Sequence, residues 1–258
     1  LSTDGRARQL VIFGEHYTNH VGPHDVQFMC AACRSGNLHL VKSLMSFLQT
    51  NDLNSSPYRL TLLEEACRSG NVELVVHIHE SLKIPTRTHK SLRNAIQTRK
   101  KDLLLWLLNQ REQFRTGLSY SFEEACLVNT VRYGWTQGFA LCVNNMDIQS
   151  LHISADTQYS LLSNAMRSGE QELVKKLLSS KMSILRPPPS RMDALFWYAC
   201  EEEDTVIMDM LEPFVLKRDT PIWTASLAYL DIALNYLLTY GRFKPSAYVS
   251  FITFVCRE

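Results

Sequence analysis

The chain lacks several features that mark common classes of protein. It has only 10 Gly and 9 Pro among 258 residues, while 45% of the residues are apolar, which disfavours disordered and β-rich classes. It also has no apolar run of the length that a membrane-spanning helix needs. The nearest candidate, residues 222–238, contains Asp231 and Asn235. We therefore expect a folded, largely helical chain without a membrane span.

An excess of charge of one sign is also missing. With 27 basic and 26 acidic residues the formal net charge is +1, so the whole chain has no built-in attraction to nucleic acid or anionic membranes. The basic stretch 87–101 is interpreted as a solvated helix surface. We expect a partner protein and no direct binding of nucleic acid.

The usual signatures of catalysis are absent as well. There is no Gly-rich phosphate loop, and adjacent acids such as Glu64 and Glu65 point about 100° apart on a helix, so they do not form a carboxylate pair. We predict no enzyme activity and no cofactor. The alternative is an enzyme or part of one, with its site in the N-terminal segment or in a domain outside these 258 residues.

The chain does contain an internal repeat. The string Ala-Cys-Arg-Ser-Gly-Asn occurs at Ala32–Asn37 and again at Ala66–Asn71, and an apolar helical pattern follows each copy. A unit that cannot bury its own apolar face stacks on its neighbours, so we predict an all-α solenoid of about six to seven helix-turn-helix repeats. The small residues that anchor six units are Ala32, Ala66, Ala95, Ala125, Ala165 and Ala199, and a weaker seventh unit covers Leu230–Leu238.

The repeat pattern also predicts the domain organisation. Residues 1–25 form an N-terminal capping segment and residues 26–258 the solenoid. The proline run Arg186–Ser190 predicts a stiff loop between repeats, with a domain boundary near 184–191 as the alternative. In the fourth unit the segment Val131–Gly138 departs from the turn pattern, and we expect a kink or an insertion there.

Segments Ala66–Val75 and Ala165–Val174 resemble the centre of the ankyrin repeat, where Ala-Ala-x-x-Gly-His-x-x-Ile-Val joins two helices. The Thr-Pro-Leu-His turn of that family is not preserved. Such degenerate arrays are similar to those in host-directed effectors of intracellular bacteria and in viral host-range proteins. The resemblance implies a monomeric protein-interaction module, the recognition part of a larger host-directed effector, with a host protein as a candidate partner.

The resemblance also implies where a partner binds. In ankyrin arrays a concave face is lined by exposed first-helix residues, namely the residue before the small pair and the two after it. Carried over, these positions give a groove that is basic at one end, acidic at the other and apolar between, which suits a partner segment with acidic, apolar and basic portions. The predicted contact residues are Arg34, Glu65, Arg68, Asn94, Gln97, Glu124, Leu127, Asn164, Arg167, Tyr198 and Glu201.

The seven cysteines predict a reducing compartment. Four of them occupy the second position of the small pair, where a free thiol acts as a compact apolar side chain. We therefore expect a cytosolic or nuclear protein, or one delivered into a host cell by a non-classical route. An alternative is a zinc site, because two histidines spaced by four precede a Cys-x-x-Cys pair: His16, His20, Cys30 and Cys33.

Overall fold

The computed structural model describes residues 23–47, 58–84, 89–110 and 121–215, and within these ranges all regular structure is helical. The all-α class predicted from the sequence is confirmed. Most of the predicted capping segment and the weak seventh unit at Leu230–Leu238 lie outside the described residues.

The helices come in consecutive pairs, each a first helix followed by a second. The second helices Leu38–Phe47 and Val72–Ser81 begin directly after the two copies of the repeated string, where the sequence predicted helical patterns. Short 3-10 helices lie at Ile148–Ser150 and Ser180–Leu185. The pairs are α1 Pro23–Ser35 with α2 Leu38–Phe47, α3 Arg59–Ser69 with α4 Val72–Ser81, α5 His89–Gln97 with α6 Lys101–Asn109, α7 Phe122–Arg132 with α8 Thr136–Asn145, α9 Ala155–Arg167 with α10 Gln171–Leu178, and α11 Pro189–Glu201 with α12 Thr205–Val215.

The chain divides into two compact units, residues 1–146 and residues 147–258. In the first unit α1, α3, α5 and α7 pack side by side in that order, α4, α6 and α8 form a second row, and each first helix packs on its own second helix. In the second unit α9 packs on α11 and α10 on α12. Each unit is thus a stack of helix pairs, first helix against first helix.

Stacking buries the apolar faces that single pairs cannot cover. In the second pair Leu62, Leu63, Leu74 and Val75 are fully buried, and so is the small anchor Ala66. Small residues at this position let neighbouring first helices approach closely, and burial of each large aliphatic side chain stabilises the fold by about 1.5–3 kcal/mol.

The same turn joins the helices of all six pairs. The residue four positions after the anchor has a left-handed backbone, with φ between 54° and 74°, and its N–H donates to the carbonyl one residue after the anchor. Glycine adopts this conformation without strain. The residues at this position are Gly36, Gly70, Arg99, Gly134, Gly169 and Glu203.

The position of this turn corrects the predicted alignment of the fourth unit. Gly134 occupies the left-handed position, so the anchor of that unit is Thr130, five residues after the predicted Ala125. Thr130 and Val131 are both fully buried, as the small pair is elsewhere. The distances along the sequence from Ala95 to Thr130 and from Thr130 to Ala165 are then 35 residues each. In place of the expected kink or insertion, the structure has a regular helix pair with a different turn sequence.

The repeated Arg-Ser-Gly-Asn string encodes the turn through its hydrogen bonds. The Ser69 hydroxyl donates to the Ala66 carbonyl at 2.7 Å, which closes α3, and the Asn71 side-chain oxygen accepts from the Leu74 N–H at 3.2 Å, which caps α4. The Asn71 amide also donates to the Gly36 carbonyl at 2.8 Å. The string therefore ends one helix, starts the next and bonds to the preceding repeat.

The proline run lies inside the second compact unit, which begins at Asp147. Pro189 is the first residue of α11, where its fixed φ favours helix initiation. At the start of the proline run, the Arg186 guanidinium donates to the Leu178 carbonyl at 2.7 Å and lies over the Phe214 ring, so this end of the linker contacts α10 and α12.

A candidate interaction surface on the first helices

One side-chain position is exposed in every helix pair. It lies two residues after the anchor, at the carboxyl end of each first helix, and is occupied by Arg34, Arg68, Gln97, Arg132, Arg167 and Glu201. In the first unit the first helices pack side by side, so four of these residues form a row along one edge. We call this row, Arg34, Arg68, Gln97 and Arg132, the arginine column.

A buried carboxylate orients two members of the column. Arg34 Nε donates to Glu65 Oε2 at 2.6 Å, and Arg68 lies 3.5 Å from Glu65 Oε1. The Arg34 side chain is 57% exposed, whereas that of Glu65 is only 7% exposed. The carboxylate thus lies beneath two guanidinium groups, which cover it and remain open to solvent.

The electrostatics of this cluster keep Glu65 ionised. Burial by itself would raise the Glu65 pKa, but the hydrogen bond from Arg34 and the positive charges of Arg68, Arg34 and Lys90 outweigh it, and the pKa is lowered. The same hydrogen bond raises the pKa of Arg34. Both side chains are therefore charged at neutral pH, and the guanidinium of Arg34 is held in place at the surface.

A second ion pair extends the polar strip between α3 and α5. Lys90 Nζ lies 2.7 Å from Glu64 Oε2, and the buried Asn94 amide donates to the Glu64 carbonyl at 3.0 Å. Asn94 satisfies a buried backbone oxygen of the neighbouring helix. This contact stabilises the packing of the two first helices.

The structure buries four of the residues predicted to line the partner-binding face. Glu65 and Asn94 serve the contacts just described, and Glu124 closes a capping box with Ser121 at the start of α7. Leu127 is fully buried. It was predicted to be exposed because the sequence pattern aligned the fourth unit on Ala125 and not on Thr130. The buried four, Glu65, Asn94, Glu124 and Leu127, offer a partner little or no surface.

The corrected alignment adds a residue that the sequence interpretation missed. Arg132 takes the column position of the fourth pair; it is exposed and has no ion pair to any described residue. A signal was available, since Arg132-Tyr133-Gly134 parallels Arg68-Ser69-Gly70. The match of Phe122-Glu123-Glu124-Ala125-Cys126 to Leu63-Glu64-Glu65-Ala66-Cys67 of α3 favoured the wrong alignment.

The second unit carries the remaining predicted contact residues. The exposed Arg167 lies over the ring of the half-buried Tyr198, with its guanidinium carbon 5.5 Å from the ring centre. Asn164 is half-buried and donates to the Ser160 hydroxyl at 3.1 Å, while Glu201 is exposed. Arg167, Tyr198 and Glu201 therefore lie at the surface of α9 and α11.

The residues of the alternative zinc site are only partly described. His16 and His20 lie outside the described residues. Of the two cysteines, Cys33 is fully buried, and burial raises its pKa to about 12, which disfavours the thiolate that zinc requires. Cys30 is half-buried, with a pKa raised by burial and by the Glu65 carboxylate. Across the described ranges no group of three or more His, Cys, Asp or Glu could hold a metal ion.

Across the same ranges, no helix has both the length and the apolar content to cross a membrane. No family model matches the sequence, and no curated protein or solved structure is significantly similar to it.

Proposed function

We propose that this chain is an ankyrin-like repeat protein that binds a partner protein through the exposed ends of its first helices. The observation that supports the proposal is the arginine column, in which structurally equivalent positions of four stacked pairs are all exposed. Repeated exposure at one position of packed helices gives a continuous surface, and arginine is enriched at the energetic centres of protein interfaces.

The contacts within the column favour binding because they preorganise it. Arg34 is held by the Glu65 carboxylate, and Arg68 lies beside the same group, so fewer side-chain rotamers are lost when a partner docks. Each guanidinium has five donors in a fixed fork, and those that Glu65 leaves unused can bind carboxylates of a partner. The further proposal, that the chain is the recognition part of a larger host-directed effector, rests on the ankyrin resemblance.

The test introduces negative charge into the column at positions where the fold should not be disturbed. Arg34→Glu is unsuitable, because it would place a carboxylate beside Glu65. The better variant is Gln97→Glu with Arg132→Glu, since both side chains are exposed. The matched control is His39→Glu with Lys42→Glu, which gives the same change in net charge at exposed positions of the second helix α2.

Proteins captured by the three versions from candidate host-cell lysates are compared by quantitative mass spectrometry, and affinities for a purified hit are measured by calorimetry. We expect the wild type and the control to retain a partner that the column variant loses, with its affinity reduced at least about tenfold, as loss of a charge-assisted contact implies. All versions must show the same helical circular dichroism and melting temperature. A partner lost with the α2 control and kept by the column variant would assign binding to the second helices.

A further inference from the structure

From the arginine column we infer the chemistry of the partner: an extended peptide segment that lies across the carboxyl ends of α1, α3, α5 and α7. Its contact residues are spaced by three, acidic opposite each arginine and neutral opposite Gln97. The inference rests on the proposed function and specifies what the column binds. Two observations carry it, the sign of the exposed charge and the identity of the third member of the column, together with the general spacing of packed helices.

Exposed charge at this end of the first unit is mainly positive. The carboxyl ends of the first helices and the turns that follow carry more cations than anions at exposed positions, and Glu65 is buried beneath the arginines. An anionic segment is therefore attracted to this edge, and its carboxylates can accept forked hydrogen bonds from the guanidiniums. The exposed anions are Glu73 and Asp102, and the exposed cations are Arg34, Arg68, Arg99, Lys100, Lys101 and Arg132.

The spacing of the column selects an extended segment. Packed helices lie roughly 8–10 Å apart, and an extended chain in the polyproline II conformation rises roughly 3.1 Å per residue with three residues per turn. Side chains about three residues apart therefore lie on one face of such a peptide and match neighbouring column positions. A helical segment advances only about 4.5 Å over three residues, so acids spaced by three match neighbouring column positions in the extended form and not in a helix.

The third member of the column sets a specificity position. Gln97 is exposed and neutral between Arg68 and Arg132, and its amide both donates and accepts hydrogen bonds. The complementary peptide thus has an acid opposite Arg34, an acid opposite Arg68, a polar neutral residue opposite Gln97 and an acid opposite Arg132. A polyanion without this pattern, such as nucleic acid, lacks the neutral position and the fixed spacing.

The test uses synthetic peptides and the full chain. One fluorescein-labelled peptide has the pattern Glu-Ala-Ser-Glu-Ala-Ser-Gln-Ala-Ser-Glu, an isomer of equal composition has its glutamates adjacent, and an oligothymidylate of similar charge serves as the nucleic-acid probe. Fluorescence anisotropy near physiological salt gives each affinity. We expect the spaced peptide to bind about tenfold more tightly than its isomer, and Arg132→Gln to remove most of that difference.

A charge swap at the third position gives a sharper readout. The wild type and Gln97→Arg are each tested with the original peptide and with a second peptide that has Glu in place of Gln. The wild type should prefer the Gln peptide and Gln97→Arg the Glu peptide. In the double-mutant cycle of these four affinities, the coupling should favour the Arg–Glu combination severalfold. Because Gln97 is exposed, we expect Gln97→Arg to fold like the wild type. Lys42→Gln is the control for Arg132→Gln, because it removes one exposed charge from α2.

Three outcomes would overturn the inference: equal binding of the two peptides, no coupling at position 97, or tighter binding of oligothymidylate than of the spaced peptide with no effect of Arg132→Gln. Each leaves the proposed function standing if the natural partner still depends on Gln97 and Arg132. If the column variant keeps its natural partner, the proposed function fails independently of the peptide results.

Discussion

The indole of Trp135 occupies the space into which a side chain at position 138 would project. A Cβ atom at Gly138 would lie 2.2 Å from Trp135 Cε3 and 2.3 Å from Cδ2, and both residues are buried. In the second pair the equivalent residues are Asn71 and Leu74. In the fourth pair the ring of Trp135, from the turn, therefore fills the space that the helix residue Leu74 fills in the second pair.

This relationship predicts that Gly138→Ala destabilises the protein, although alanine normally favours a helix over glycine by about 1 kcal/mol. The clash requires a backbone or ring shift, and overpacking of this kind costs about 1–3 kcal/mol. Urea unfolding measures the change. In a Trp135→Ala background the same substitution should be neutral or stabilising, and destabilisation in both backgrounds would contradict the ring contact.

The small anchors predict a second effect of overpacking. Ala66→Leu and Ala165→Leu should each destabilise by about 1–3 kcal/mol, since both alanines are fully buried where first helices meet. Ala31→Leu, at an exposed position of α1, is the matched control and should leave the melting temperature nearly unchanged. Equal melting temperatures for all variants would mean that the anchors do not mark the helix contacts.

The left-handed turn predicts a stabilising substitution. Glu203 has φ 54°, a conformation that costs a non-glycine residue about 1–2 kcal/mol, so Glu203→Gly should stabilise the protein by about 1 kcal/mol after the entropy gained by the unfolded chain is subtracted. Glu202→Gly is the control with the same charge change, because Glu202 has φ −84° and gains nothing from glycine. Thermal and urea unfolding would compare the two, and a larger gain at position 202 would contradict the assignment of the turn.

Two histidines predict how stability depends on pH. Burial lowers the pKa of His77 and of His89, and the Lys42 charge lowers that of His77 further while Glu80 partly opposes it. Since the unfolded chain binds protons more tightly at these sites, the contribution to stability is complete above about pH 6.5 and is lost as the pH falls through the lowered folded values.

The measurement is the free energy of unfolding at about pH 7.5 and about pH 5. We expect the difference between the two values to be smaller in His77→Gln with His89→Gln than in the wild type. His39→Gln, at an exposed position of α2, is the control for the loss of a histidine. If the double variant loses as much stability in acid as the wild type, other groups set the pH dependence.

The positions of the helix pairs could be predicted from the sequence because local groups produce them. In Arg68-Ser69-Gly70-Asn71 the serine, glycine and asparagine make the bonds that end α3 and start α4, and each bond joins residues three positions apart. The same chemistry ends α1 and starts α2 at Leu38–Phe47. It failed in the fourth pair, where tyrosine and tryptophan replace serine and asparagine and only the glycine conformation remains.

The sequence by itself determined the all-helical class, the turns of the units that carry Arg-Ser-Gly and the equivalence of Arg34, Arg68 and Arg167, because each depends on a short stretch of chain. The tertiary structure alone decided which of the candidate residues face solvent. Buried Glu65 binds an arginine 31 positions away, and buried Asn94 binds a carbonyl 30 positions away. Leu127 is buried within its helix pair, whereas Arg132 is exposed. Exposure depends on which neighbouring helix covers a side chain, and that is set by stacking between repeats and not by the local pattern.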